Sequence, residues 1–203
     1  NHVYRPIFKV NYRVHNKDGS FAENTCYIDA VKVEFIHYID DDFVYSEGLS
    51  ILRTLEADDI RILLALPKRR GFDNEYLKDA FPYGDVKLKN TMDRFISMGI
   101  LRKEKRSTKN VYFLIKNLEL PKNPIHKMLS TFEDLDLSQE PIDKDNILDA
   151  RATFETVRNV LGTLWETIKI DEIETILKPE YLITNLDTKE TVLFDAFTGK
   201  KII

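Results

Sequence analysis

The chain has 203 residues, of which 43% are hydrophobic and 32% charged, with seven glycines and seven prolines. This is the composition of folded domains and excludes a linker or low-complexity chain. One cysteine, Cys26, excludes an internal disulfide and a cysteine-based zinc cage, no run of about 18 apolar residues marks a membrane-spanning helix, and 34 acids against 30 bases give a net charge of −4. A single thiol fits a reducing compartment, so a cytoplasmic location is expected. The start is polar and strand-like, unlike a signal peptide. It carries no initiator methionine, as expected of a fragment of a longer protein or a chain without its disordered start.

The charge is unevenly spread. Between Lys68 and Lys109 twelve bases face six acids, a net +6, whereas between Thr131 and Ile176 twelve acids face four bases, a net −8. A basic middle of this kind favours a polyanion even though the whole chain is acidic.

The first 50 residues read as strands. Ile7 to Val14 alternates apolar and polar residues, Asn16 to Ser20 has turn chemistry, and Thr25–Ile28 and Val31–Ile39 look extended until Asp40-Asp41-Asp42 breaks the pattern. Residues 51–120 follow a different order. Glu56–Leu66 has helical spacing and stops at Pro67. Asp73 caps a short helix over Asn74–Phe81. After the Pro82-Tyr83-Gly84 turn, Asp85 caps a third helix over Val86–Met98, with Leu88, Met92, Phe95 and Ile96 inward. Gly99 fits the position just past a helix end. Ile100–Glu104 and Val111–Ile115 then read as two strands of a hairpin with a basic turn.

Helix, short helix, helix and hairpin, with the Met98-Gly99-Ile100-Leu101 join, resemble the winged helix-turn-helix family over about residues 54–115. The Phe81-Pro82-Tyr83-Gly84 turn departs from the family's usual pattern. The resemblance implies that the third helix enters the major groove of DNA, where Lys87, Lys89, Asn90 and Arg94 lie off its apolar stripe. It also implies that Arg102, Lys103, Lys105, Arg106 and Lys109 on the hairpin meet phosphates. Lys68-Arg69-Arg70 adds to the same field.

Residues 121–142 read as a Pro- and acid-dotted connector. Beyond it, Ile147, Ala150, Phe154, Val157, Leu161, Leu164 and Ile168 are spaced 3-4-3-4-3-4, which predicts one long amphipathic helix. Phe154, Val157, Leu161 and Leu164 are then either core or a dimer seam. Residues 181–184 and 191–194 return to strands. The two ends also look alike: Pro6 with Tyr27-Ile28-Asp29-Ala30, and Pro179 with Leu193-Phe194-Asp195-Ala196. Two similar hairpins sharing one sheet would account for this, as would chance.

Enzymatic signals are weak. His2, His15, His37 and His126 have no ligand spacing, and neither a Gly-rich phosphate loop nor a nucleophile elbow occurs. Asp40-Asp41-Asp42 reads as a solvated loop and Asp187-Thr188-Lys189 as a hairpin turn. Cys26 reads as packed, and Tyr4, Tyr12, Tyr27 and Tyr38 as half-buried sheet residues.

The expectation is an α+β chain: a winged helix-turn-helix inserted between β-hairpin segments, plus a long amphipathic helix. Its segments are 1–50, 51–120, 121–142 and 143–203, the last sharing a sheet with the first. The expected function is non-catalytic binding of double-stranded DNA, as a regulator or as the DNA-binding part of a replication, partition or defence protein. No metal, cofactor or membrane is expected, and a homodimer or larger assembly is. The alternative is a protein-interaction module of a larger assembly.

Overall fold

The computed structural model describes residues 1–15, 18–39, 42–46, 48–115, 142–165 and 168–202. In chain order the elements are β1 (His2–His15), β2 (Phe21–Asp29), β3 (Glu34–Ile39), β4 (Asp42–Ser46), α1 (Leu49–Leu52), α2 (Ala57–Ala65), β5 (Phe72–Asp73), α3 (Asn74–Ala80), α4 (Asp85–Ser97), β6 (Leu101–Arg106), β7 (Lys109–Leu114), a 3₁₀ turn (Lys144–Asn146), α5 (Phe154–Leu164), β8 (Ile168–Thr184), β9 (Thr191–Asp195) and β10 (Lys201–Ile202). They form two compact units, one of residues 1–54 and 120–203, the other of residues 55–119.

The first unit is built on a seven-stranded antiparallel sheet of order β10-β9-β8-β1-β2-β3-β4. The alternation along β1 sends Phe8, Val10, Tyr12 and Val14 to one face, where all are buried. Helix α5 covers that face with Val157, Val160 and Leu161, and Trp165 follows it. The Tyr12 and Phe35 rings both lie 5.8 Å from Trp165, and Phe8 meets Phe154 edge-on at 4.9 Å. The sheet curls, and Lys200 before β10 reaches Asp42 of β4 at 2.6 Å.

The two halves of this sheet repeat one another. Ile7 pairs with Asp29 and Phe8 with Ile28; likewise Glu180 pairs with Asp195 and Tyr181 with Phe194. Asp29 Oδ1 accepts from the amides of Val31 and Lys32, and Asp195 Oδ1 from those of Phe197 and Thr198. The Ala30 amide donates to the Pro6 carbonyl, and the Ala196 amide to that of Pro179. Each turn closes on a residue of positive φ, Val33 at 61° and Gly199 at 67°. Val33 is β-branched and holds this conformation against its own steric preference. Thus β1-β2-β3 and β8-β9-β10 are two copies of a three-stranded meander. They join where β1 pairs with β8, with Arg5 directly opposite Lys178.

Around that pair lies a buried charge cluster. Arg5 Nε donates to Glu180 Oε1 (2.6 Å) and its Nη1 to Asp29 Oδ2 (3.2 Å). Lys178 Nζ donates to Glu180 Oε1 (3.2 Å) and forms an ion pair with Asp195. All five residues are at most 4% exposed. Each meander therefore brings one cation and one aspartate. Glu180 stands where the other copy has Ile7, and it joins the two cations. Its second oxygen, Oε2, has no hydrogen-bond partner among the described residues.

In the second unit, three helices pack on a sheet of order β5-β7-β6. Asp73 caps α3 by accepting from the Tyr76 amide (3.0 Å). Gly99, at φ 67°, reverses the chain after α4, and Ile100 N bonds to Phe95 O at 2.9 Å. Gly84 rather than Asp85 is the residue that caps α4.

The expected architecture, a winged helix-turn-helix inserted between hairpins and followed by a long helix, is overturned. Strand outweighs helix among the described residues, 43% against 28%, and the curled seven-stranded sheet dominates the chain. The expected long helix is eleven residues. Thr153 caps it, accepting from Thr156 N. Upstream, Ile147 bridges to Tyr4, and the amides of Arg151 and Ala152 bond to Ala30 O. Downstream, Ile168 already pairs with Val14. The heptad spacing outside Phe154–Leu164 is therefore coincidental: Ile147 and Ile168 sit in extended backbone, which suits β-branched residues. The connector expected at 121–142 lies, except for Ile142, outside the described residues.

Two outcomes follow from this packing. Leu161 is fully buried, so Leu161→Ala should lower stability by about 2–5 kcal/mol without changing the sedimenting mass, which thermal melts and ultracentrifugation would check. Asp29→Asn and Asp195→Asn each leave a buried cation short of its partner and should each cost about 3–5 kcal/mol, read as a lower urea midpoint at constant slope.

Candidate nucleic-acid interface

The bases of residues 68–115 divide into three groups. The first is engaged with carboxylates of α2. Lys87 pairs with Asp58, which also accepts from the Tyr83 hydroxyl at 3.0 Å. Arg94 pairs with Asp59, which also accepts from Thr91 Oγ1 at 2.7 Å. Asp59 is 2% exposed. Lys87, Thr91 and Arg94 stand at i, i+4 and i+7, one stripe of α4 turned toward α2. Lys87 and Tyr83 hold the Asp58 carboxyl below the usual carboxylate range, and Asp58 in turn raises Lys87. A carboxyl of lowered pKa stabilises the fold above its ordinary titration range and loses that contribution as the pH falls through its folded pKa. This link is therefore complete at neutral pH, weakens in acid as Asp58 takes up a proton, and weakens in alkali as Lys87 loses one. Lys109 is likewise engaged, 2.8 Å from Glu75 and 3.7 Å from Asp73.

The second group faces outward on the helix side of the hairpin. Lys89 and Asn90 are exposed on α4, beside Val86 and Asp93. Lys103 on β6 pairs in register with Tyr112, which is buried toward the helices. Lys89 and Lys103 line one cavity of about 270 Å³ with Lys78, Asp85, Asp93 and Asn110. Lys78 is occupied by Asp85 at 2.7 Å. Lys105 shares the β6 face of Lys103 by alternation. Lys89, Lys103 and Lys105 have no carboxylate partner among the described residues.

The third group lies on the other face of the hairpin. Arg102 and Arg106 stand over the Phe113 ring, 5.1 and 4.8 Å from its centroid, and both contact Glu104 at 3.1 Å. Lys68, Arg69 and Arg70 border the same face.

Of the residues expected to meet DNA, the structure thus turns Lys89, Asn90, Lys103 and Lys105 outward together. It draws Lys87, Arg94 and Lys109 into intramolecular pairs and puts Arg102 and Arg106 on the far face. The acidic pair Asp58-Asp59 was the available signal, since two carboxylates on the preceding helix need partners. In the sheet unit, Val157 and Leu161 are buried under the sheet face, Leu164 is half-buried and Phe154 is 43% exposed, so this seam belongs to the unit's own core.

Elsewhere, Tyr12 and Tyr27 are buried and offer no open stacking platform. Asp42 bonds Lys200, while Asp40, Asp41, His126 and the Tyr38 side chain lie outside the described residues. No group of three or more His, Cys, Asp or Glu able to hold a metal occurs among the described residues, and none of their helices is long and apolar enough to cross a membrane. Burial pushes the Cys26 thiol up. The chain matches no family model, no curated protein and no solved structure.

Arg94→Ala tests the division of bases. It removes one partner from the buried Asp59 and should cost about 1–3 kcal/mol, whereas Lys89→Ala, on the outward stripe, should change stability by less than about 0.5 kcal/mol. Urea unfolding of the two variants would show the contrast.

Proposed function

We propose that residues 55–119 bind double-stranded DNA without catalysis, within a cytoplasmic regulator or as the DNA-binding part of a larger replication, partition or defence protein. The observation that carries this reading is the joint presentation of Lys89 from α4 and Lys103 from β6 on one cavity, with Asn90 exposed alongside. A helix side chain able to read a base edge and flanking ammonium groups able to hold phosphates are the two components such recognition needs. The packing of α4 against β6, which brings the two lysines to one surface, supports it. With Lys87 and Arg94 engaged on α2, base reading falls to Asn90 and Lys89. Assembly with a second copy belongs to the same reading and uses a surface other than Val157 and Leu161.

Fluorescence anisotropy with short labelled duplexes tests it. Binding should weaken steeply with salt, and Lys103→Ala with Lys105→Ala should flatten that dependence by about 0.9 log units per log salt for each phosphate no longer held. Asn90→Ala should cost about 1–3 kcal/mol on a duplex selected from a random library and little on random sequence. Absence of duplex binding at about 50 mM salt, where phosphate contacts count most, would replace this reading with the protein-docking one.

A further inference from the structure

Lys68, Arg69 and Arg70 follow α2 as a three-residue loop clamped at both ends. Leu66 before it and Phe72 after it are 3% and 4% exposed. Phe72 pairs with Tyr112, which sets the loop beside β7. Gly71 makes this approach possible: a Cβ there would lie 2.7 Å from Val111 Cγ1 and 2.8 Å from the Phe113 ring. The three bases consequently meet Arg102 around a cleft of about 270 Å³ with Phe113, Leu114 and Ile115. No carboxylate of the described residues lines it. Among the described residues Lys68, Arg69 and Arg70 have no ion-pair partner, and Glu104 is the only acid contacting Arg102.

The cleft and the α4 surface lie on different faces of one hairpin. Arg102 is in register with Phe113 and Lys103 with Tyr112, and successive strand residues point to opposite faces. A straight duplex laid on Lys89 and Lys103 therefore does not also enter the cleft.

We propose that this cleft is a second phosphate site, which holds the backbone of a nucleic-acid segment other than the one on α4, so that one copy of the unit can bridge two segments. The proposal rests on the DNA-binding reading for the α4 face, but the cleft's affinity for phosphate does not. Four cation–phosphate contacts imply binding at the cleft that falls about 10²-fold between about 50 and 200 mM salt. Gly71 is a positioning residue: it contributes no charge and determines where three charges stand.

The test uses the full chain, two short duplexes carrying donor and acceptor dyes, and inorganic phosphate. The wild type should bring the duplexes within energy-transfer range, and phosphate should shift the arginine Nε signals of Arg69, Arg70 and Arg102. Lys68→Ala/Arg69→Ala/Arg70→Ala, whose exposed positions leave the melt unchanged, should still bind one duplex but lose bridging by about tenfold or more. Gly71→Ala keeps every charge and should also weaken bridging, while Arg69→Lys/Arg70→Lys should retain most of it. Bridging undiminished in the triple variant, or equal in Gly71→Ala and the wild type, would overturn the proposal, as would a wild type that binds one duplex and never two. A wild type that binds no duplex yet shows the phosphate shifts would sink the DNA reading and leave the cleft as a phosphate site.

Discussion

The pairing of β1 with β8 is the contact on which the sheet unit depends. It joins the two meanders, and it is the place where Arg5 and Lys178 lie opposite one another out of water. Removing two cations from solvent costs several kcal/mol each, and only well-placed counter-charges offset it. Asp29 and Asp195 supply these within each meander, and Glu180 couples them across the join. A slip of two residues between β1 and β8 would keep the apolar residues of β1 on the face under α5, but it would separate Arg5 from Glu180. A slip of one residue between β1 and β8 would turn Arg5 away from Glu180 and bury it against the apolar face. The cluster thus fixes the register that the apolar face alone leaves less certain.

Ion pairing has a second role in the helical unit. Its residues carry many bases, but net charge alone says little about which of them face a ligand. Asp58 and Asp59 take up Lys87 and Arg94, and Glu75 takes up Lys109. What remains outward is a smaller set, divided by the strand alternation of β6 into two faces. The carboxylates of α2 and α3 therefore define the basic surface as much as the bases do, by deciding which ammonium and guanidinium groups stay available.

Much of this was legible in the residues. Asp73 as a cap, Gly99 at the turn and the bounds of α2, α3 and α4 follow from local chemistry, which is why they can be read without tertiary context. The likeness of the Asp29-Ala30 and Asp195-Ala196 turns was also visible, because the Asx turn needs an aspartate or asparagine whatever surrounds it. The long helix was misread because Ile147, Ala150 and Ile168 match a heptad by spacing alone. Ile147 bridges to Tyr4 and Ile168 pairs with Val14, partners more than 100 residues away, while Ala150 lies in irregular backbone. The charge cluster was illegible for the same reason: Arg5 and Lys178 look like surface bases until their strands are paired. For Lys87 and Arg94, an apolar stripe marks the buried face of α4 but not its margin, where a polar seam with another helix begins.

The long separation between β1 and β8 has a consequence for synthesis. Roughly 150 residues stand between His15 and Ile168, about 8–30 s of translation at ordinary rates. During that interval the helical unit, which is one continuous stretch of chain from Leu55 to Glu119, has what it needs to form. The first meander does not: Arg5 lacks Glu180, and one whole edge of β1 has no partner. Nascent chains thus carry an open, partly apolar strand edge until β8 emerges, and only then does the sheet close from its centre.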